Sequence, residues 1–369
     1  MDRKRLGRLL GGVAIGCVGL GVGWALGKLG MAPTESGERL SLAEKLLRVA
    51  LGGFSIWLAL SVHEAGHLLG ALSQGFRFVF LAAGPVWIER AGEGVAVRFN
   101  RTIQTWGGVA AAMPVDGRNL RARFSVMVAG GPLASLGLAL AGWGAWSALP
   151  PGTARFAAGV AALASAGFFL ATTQPFGAGG GFASDGGRLL RLWRKGAAGE
   201  REVALLAITA GAAGGVRPRD WAPELIETAL RPADGSTMEI AALVSAAQRA
   251  SDVGDADAAE ALLGRAVALA REASPLLRSF VAAEAGWLRA TRGDVEGARA
   301  LVAAADGPFV ERHALFRARA ALRAAEGDRD GARREAEGGL AALSRTRFGK
   351  ASERDRELLA ALRDGAPAG

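Results

Sequence analysis

The sequence predicts a mostly α-helical chain in two parts: a polytopic membrane helical bundle with a short β-hairpin region, and a soluble α-helical repeat domain. Three observations carry this. Apolar runs of membrane length are confined to the first half of the 369 residues; the second half has a charged residue every few positions; and within it Gly-Asp recurs at 254–255, 293–294 and 327–328. The formal charge of +9 is mostly arginine beside the apolar runs, which suits an anionic membrane surface, and no nucleic-acid motif accompanies it. Nucleic acid is not expected as a partner. The single cysteine, Cys17, rules out a disulfide framework and a cysteine-type zinc site, so any metal must be held by histidine and carboxylate.

Residues 1–30 read either as a signal peptide or as a first transmembrane helix, and a retained helix is favoured. Arg3, Lys4, Arg5 and Arg8 precede an apolar stretch from Leu9 to Leu26, Gly19, Gly23 and Gly27 form a stripe suited to close helix packing, and no A-x-A cleavage site follows. Basic residues before the span place the N-terminus in the cytoplasm and residues 31–44 outside. Ser41-Leu42-Ala43-Glu44 then reads as a capping box at the start of a second span. That span runs inward, which puts residues 74–123 on the cytoplasmic side, where Arg77, Arg90, Arg98, Arg101, Arg118, Arg121 and Arg123 satisfy the positive-inside bias.

Within that segment, residues 76–89 and 95–99 are rich in aromatic and β-branched side chains and are separated by a turn signal over 90–94. A β-hairpin or small sheet within 76–105 is expected, lying at the membrane surface with an edge available to an extended peptide. Residues 124–149 and 157–170, the latter extended to about 176, form two further spans joined at Pro150-Pro151-Gly152. The chain returns to the cytoplasm through Gly177–Gly181, which is neither a Walker loop nor a dinucleotide loop, and then Ser184-Asp185-Gly186-Gly187.

From residue 197 to 369 a cytoplasmic helical domain is expected. Helices are predicted at 200–210 and 223–230, and each Gly-Asp leads into a short helix with alanine at the sixth position: Ala259, Ala298 and Ala332. The spacings are 39 and 34 residues, the second equal to the tetratricopeptide period, so tetratricopeptide-like helical pairs are expected there.

The chemistry sits in the second span. Residues 49–72 carry no ionisable side chain except His63, Glu64 and His67, an HExxH motif. In a helix the two histidines lie one turn apart on one face, so both imidazoles can bind one metal, with Glu64 beside them as candidate general base. A carboxylate at mid-membrane costs about 2.5 to 3.5 kcal/mol, so three such groups within five positions call for a functional reason. His313, the one other histidine, lies far away in a polar segment.

His63-Glu64-Ala65-Gly66-His67 in one span, Gly131-Pro132 in the next and Asp185-Gly186 after the third resemble the site-2 protease family of intramembrane zinc metalloproteases. The resemblance covers about residues 45 to 190 and implies that residues 41–195 form a membrane metalloprotease core. It implies Zn2+ held by His63, His67 and Asp185, with Glu64 activating the attacking water. It also implies a membrane protein substrate cut near the cytoplasmic face of a cell membrane; the arginine distribution predicts both chain termini to be cytoplasmic. Two positions depart from the family pattern: Thr172 stands where asparagine precedes the proline of the later helix, and Ser135 stands where asparagine follows Gly-Pro. Asp116 also precedes a glycine, but its neighbours Pro114, Gly117 and Arg118 read as a polar turn, whereas Asp185 follows a span directly. The repeat domain lies outside the resemblance and is expected to bind a protein partner. The alternative is a catalytically silent membrane scaffold acting through that domain, and the intact Glu64 argues against it.

Overall fold

The computed structural model describes residues 40–91, 94–175, 183–307, 310–345 and 353–365. The predicted first helix and the Gly177–Gly181 run lie outside them, as do residues 92–93 of the turn signal. The chain divides into two compact units, the first built from residues up to Glu89 with 97–112 and 122–191, the second from 90–96, 113–121 and 192 onward.

The first unit starts with α1 (Leu42–Ser73). Its start is fixed by the expected capping box: the Glu44 backbone N–H donates to Ser41 Oγ at 3.2 Å, and the Ser41 N–H donates back to the Glu44 carboxylate at 2.9 Å. At 1.5 Å per residue the helix is about 48 Å long, more than a bilayer's hydrocarbon core. With α2 (Leu120–Ala148, containing Pro132) and α3 (Thr153–Thr173) it makes, among the described residues, three helices long and apolar enough to cross a membrane. Glycines let α1 and α2 meet backbone to backbone: a Cβ at Gly66 would lie 2.5 Å from the Ala134 Cβ, and one at Gly70 would lie 2.7 Å from the Val126 carbonyl oxygen.

Between α1 and α2 runs a four-stranded sheet in the order β3-β2-β1-β4, formed by β1 (Arg77–Ala83), β2 (Val86–Ala91), β3 (Gly94–Phe99) and β4 (Val109–Met113). The sequence suggested one long strand over 76–89. Instead Gly84, at φ +53°, turns the chain at Gly84-Pro85, so that β1 and β2 pair antiparallel with Phe80 opposite Glu89 and Ala83 opposite Val86. Phe80 and Trp87 stack with centroids 4.6 Å apart and are buried, which fixes this register. The strand β4 had no sequence signal. It is delivered by a tight connection in which the buried Asn100 donates to the Gly84 carbonyl at 2.9 Å and accepts from the Thr102 N–H at 3.1 Å. Trp57 of α1 donates to the Ala83 carbonyl at 3.1 Å and ties the sheet to that helix.

After α4 (Asp185–Trp193), the second unit contains α5 (Ala197–Ala213) and α6 (Pro223–Ala229), close to the helices read from the sequence. Three helical hairpins follow: α7 (Thr237–Asp252) with α8 (Ala256–Ala270), α9 (Pro275–Thr291) with α10 (Val295–Ala304), and α11 (Arg312–Ala325) with α12 (Arg329–Ala342). Each hairpin turns at a Gly-Asp. Gly254, Gly293 and Gly327 take φ of +91°, +81° and +82°, and Asp255, Asp294 and Asp328 cap the next helix by accepting an N–H from Ala258, Gly297 and Gly331. Ala259, Ala298 and Ala332 are buried where the helices approach. The core of Leu243, Val281, Trp287, Leu288 and Ala318 runs through all three hairpins and takes in Leu362 of a last helix, α13 (Glu353–Asp364), which the repeat spacing did not anticipate.

Candidate metal centre

The helical spacing of the HExxH residues has the predicted result: His63 and His67 project from one face of α1 with ring centroids 4.8 Å apart, nearly perpendicular. Both rings are held from behind by α2. His63 Nδ1 lies 2.9 Å from Ser135 Oγ, and His67 Nδ1 lies 3.0 Å from the Met127 carbonyl oxygen. That oxygen can only accept, so the His67 proton sits on Nδ1 and the Nε2 lone pair faces the opposite way. Gly131 makes room for the ring, since a Cβ there would fall 2.5 Å from His67 Cε1. Phe168 of α3 lies against His63 at 6.2 Å between ring centroids.

Asp185 completes the cluster. Its Oδ2 lies 3.3 Å from His63 Nε2 and its Oδ1 lies 3.5 Å from His67 Nε2. The first turn of α4 is fastened to the end of α3: Ser184 Oγ donates to the Gln174 carbonyl and accepts from the Gly187 N–H at 3.2 Å. Gly186 passes so close to Thr173 that a Cβ would sit 2.5 Å from its carbonyl carbon. Asp116 takes no part in the cluster; its carboxylate accepts from the Arg118 N–H at 3.0 Å and pairs with that guanidinium at 3.2 Å, the local turn expected of it.

Among the described residues, His63, His67 and Asp185 are the one group of such side chains whose ligand atoms converge, all within 4.8 Å of one another. Two imidazole lone pairs and a carboxylate facing one point repel each other unless a cation lies among them. For a tetrahedral ion bound by nitrogen and oxygen at about 2.0 to 2.1 Å, neighbouring ligand atoms stand about 3.3 Å apart. The separations of 3.3 and 3.5 Å lie near that edge but run to the two different oxygens of Asp185, and the hydrogen bond behind each ring is the support metal-binding histidines require. The three residues could therefore hold a metal ion.

Glu64 is buried beside the cluster without belonging to it. Its carboxylate accepts a hydrogen bond from the Ala110 backbone N–H at the start of β4. It also packs on Gly108, whose φ of +95° and missing side chain are both required there: a Cβ would lie 2.8 Å from Glu64 Cδ.

The chain matches no protein-family model, no curated protein and no solved structure. The residues that orient the predicted ligands, Met127 and Ser135, and those that position Glu64, Gly108 and Ala110, had no functional signal in the sequence. Ser135 stood out there only as a departure from a family pattern; in the fold it is fully buried and holds His63.

Proposed function

We propose that this protein is a membrane-embedded zinc metalloendopeptidase of the site-2 protease type, hydrolysing peptide bonds of membrane-embedded or membrane-adjacent proteins near the cytoplasmic face. The observation that carries the reading is a potential metal-ligand triad converging between apolar helices with a buried glutamate beside it that is not one of the ligands. His63, His67 and Asp185 would hold the zinc. When bound, zinc would polarise the scissile carbonyl and bring the pKa of the attacking water to about 7.

The chain's own residues do the rest. Glu64 accepts the proton of the attacking water and passes it to the leaving amine, so that one carboxylate serves as base and then as acid. The Ala110 N–H holds the Glu64 carboxylate in place, while Ser135 and Met127 keep the Nε2 atoms of His63 and His67 directed at Asp185. A substrate helix keeps its carbonyls in internal hydrogen bonds and must open before it can be cut. Strand β4 supports that step: it is an edge of the sheet, and its Ala110 donates an N–H to Glu64, so the strand runs beside the proposed base. An extended peptide added there brings its backbone to Glu64.

The three helical hairpins of the second unit would bind a protein partner. The arginines placed beside the spans support a cell-membrane location with both ends cytoplasmic.

The test is cleavage of a single-span reporter protein co-reconstituted in vesicles with the parent or with Glu64→Gln. Loss of the general base is expected to slow cleavage by about 100-fold or more. Equal cleavage by both proteins rejects the enzyme reading and favours the scaffold.

A further inference from the structure

The last helix, α13, is not a simple end cap on the hairpin before it. One face of it crosses elements from the whole length of the array: Arg354 reaches Ser251 Oγ at 3.1 Å and Asp252 at 3.6 Å at the end of α7, Asp355 pairs with Arg317 of α11 at 2.6 Å, and Glu357 pairs with Arg217, ahead of α7, at 2.7 Å. Leu359 and Leu362 are buried, and Gly339 of α12 lacks a side chain where Leu359 enters. Residues 355, 359 and 362 form one helical face. This is the pattern of an amphipathic helix laid in a groove.

The groove is poorly matched to this occupant. Arg317 is fully buried, with 1% of its surface exposed, and its guanidinium bonds Glu284 and Asp355, yet its Nε has no hydrogen-bond partner among the described residues. Trp287 Nε1 and His313 Nδ1, both buried, are in the same position. A buried polar group left without a partner is destabilising, because it has given up its water without a replacement. In addition, Arg354 is buried against a second cation, with Arg317 and Arg354 on the same indole at 4.9 and 5.0 Å from its centroid. Burial and then the nearness of Arg317 push the Arg354 pKa down. A narrow crevice remains where Arg354 enters, lined by Gln248, Ser251, Glu284 and Trp287.

We infer that α13 is a self-supplied, exchangeable ligand in the partner groove of the helical hairpins, and that the true partner presents an amphipathic helix of related chemistry. Its signature is a carboxylate to pair with Arg317, leucines four and seven residues later, and before the carboxylate an uncharged hydrogen-bond acceptor in place of Arg354. Such an acceptor relieves the cation pair and offers a partner to the unmet donors. The inference rests on the reading that this unit binds a protein, and is independent of proteolysis at the metal centre.

The test uses the purified full chain in detergent and labelled synthetic peptides of residues 353–364: the native sequence, Arg354→Gln and Asp355→Lys. In the Leu359→Glu chain α13 is expelled, so the native peptide is expected to bind it at least about tenfold more tightly than it binds the parent, where α13 competes. The Arg354→Gln peptide is expected to bind more tightly still, and Asp355→Lys to bind neither protein. Should Leu359→Glu lose its cooperative helical melt, the Asp355→Asn chain, which keeps the side-chain volume, replaces it with the same expectation. Absence of peptide binding by a variant that melts like the parent overturns the inference, as does loss of the cooperative melt in both variants. A native peptide that binds as tightly as Arg354→Gln overturns the stated signature.

Discussion

Gly108→Ala separates metal binding from base catalysis more cleanly than any ligand substitution. The added Cβ would lie 2.8 Å from Glu64 Cδ and nearer still to Oε1, where ordinary contact begins at 3.4 Å, so the carboxylate must retreat by at least about 0.6 Å or the loop must move as far. The loop resists, because Asn100 and its hydrogen bonds to Gly84 and Thr102 fasten the chain just upstream. An alanine at φ +95° is itself strained by about 1 to 2 kcal/mol, which adds to the pressure on Glu64. Misplacement of a catalytic group by about 1 Å costs about 100-fold, so a loss of tenfold to 100-fold in kcat is expected, with zinc affinity unchanged. Single-turnover cleavage of the reporter, run beside a chelator competition for zinc, measures both. Unchanged kcat in Gly108→Ala would refute the placement of Glu64 as the base. Loss of zinc would show that Gly108 supports the metal cluster itself.

Ser135→Ala removes the hydrogen bond behind His63 and is expected to weaken zinc binding by about 10-fold to 100-fold, read from chelator competition; unaltered affinity would mean the ring is held by its packing alone. In the helical unit, Asp234 is paired with the buried Arg201 at 2.9 Å; burial raises its pKa, but bonds from Ser236 and Arg201 outweigh that and lower it. A carboxylate with a depressed folded-state pKa stabilises above its unfolded value of about 3.9 and loses that contribution as pH falls through the folded value. Asp234→Asn is therefore expected to lower the Tm of this unit at pH 6, and the gap from the parent is expected to close as the pH drops below about 4. A gap that persists at low pH would assign the effect to something other than this ion pair.

What the sequence disclosed here was local. A histidine pair one turn apart, a capping box at Ser41 and Glu44, and a glycine followed by a capping aspartate each draw their meaning from four or five consecutive residues, and all three formed as their spacing requires. Long-range contacts left no such trace. Gly84-Pro85 divides what reads as one strand, because turn chemistry in an apolar stretch competes with β propensity and wins. The anchor on His63 is a serine 72 residues away, and that on His67 is a backbone carbonyl, which no sequence pattern can display. The choice of Asp185 over Asp116 rested on its attachment to a span, and the contacts of Ser184 and Gly186 with the end of α3 are the physical form of that attachment. The α13 groove was hidden because its ion pairs join residues 38 to 140 positions apart.

The central claim is that His63, His67 and Asp185 form a zinc site served by Glu64. It is tested most directly by the zinc content of purified protein in the parent and in His63→Ala, Asp185→Ala, Asp116→Ala and Glu64→Gln. Equimolar zinc is expected in the parent, Asp116→Ala and Glu64→Gln, with loss in His63→Ala and Asp185→Ala. Retention of zinc in Asp185→Ala with loss in Asp116→Ala, or a parent that binds no zinc on reloading, would contradict it.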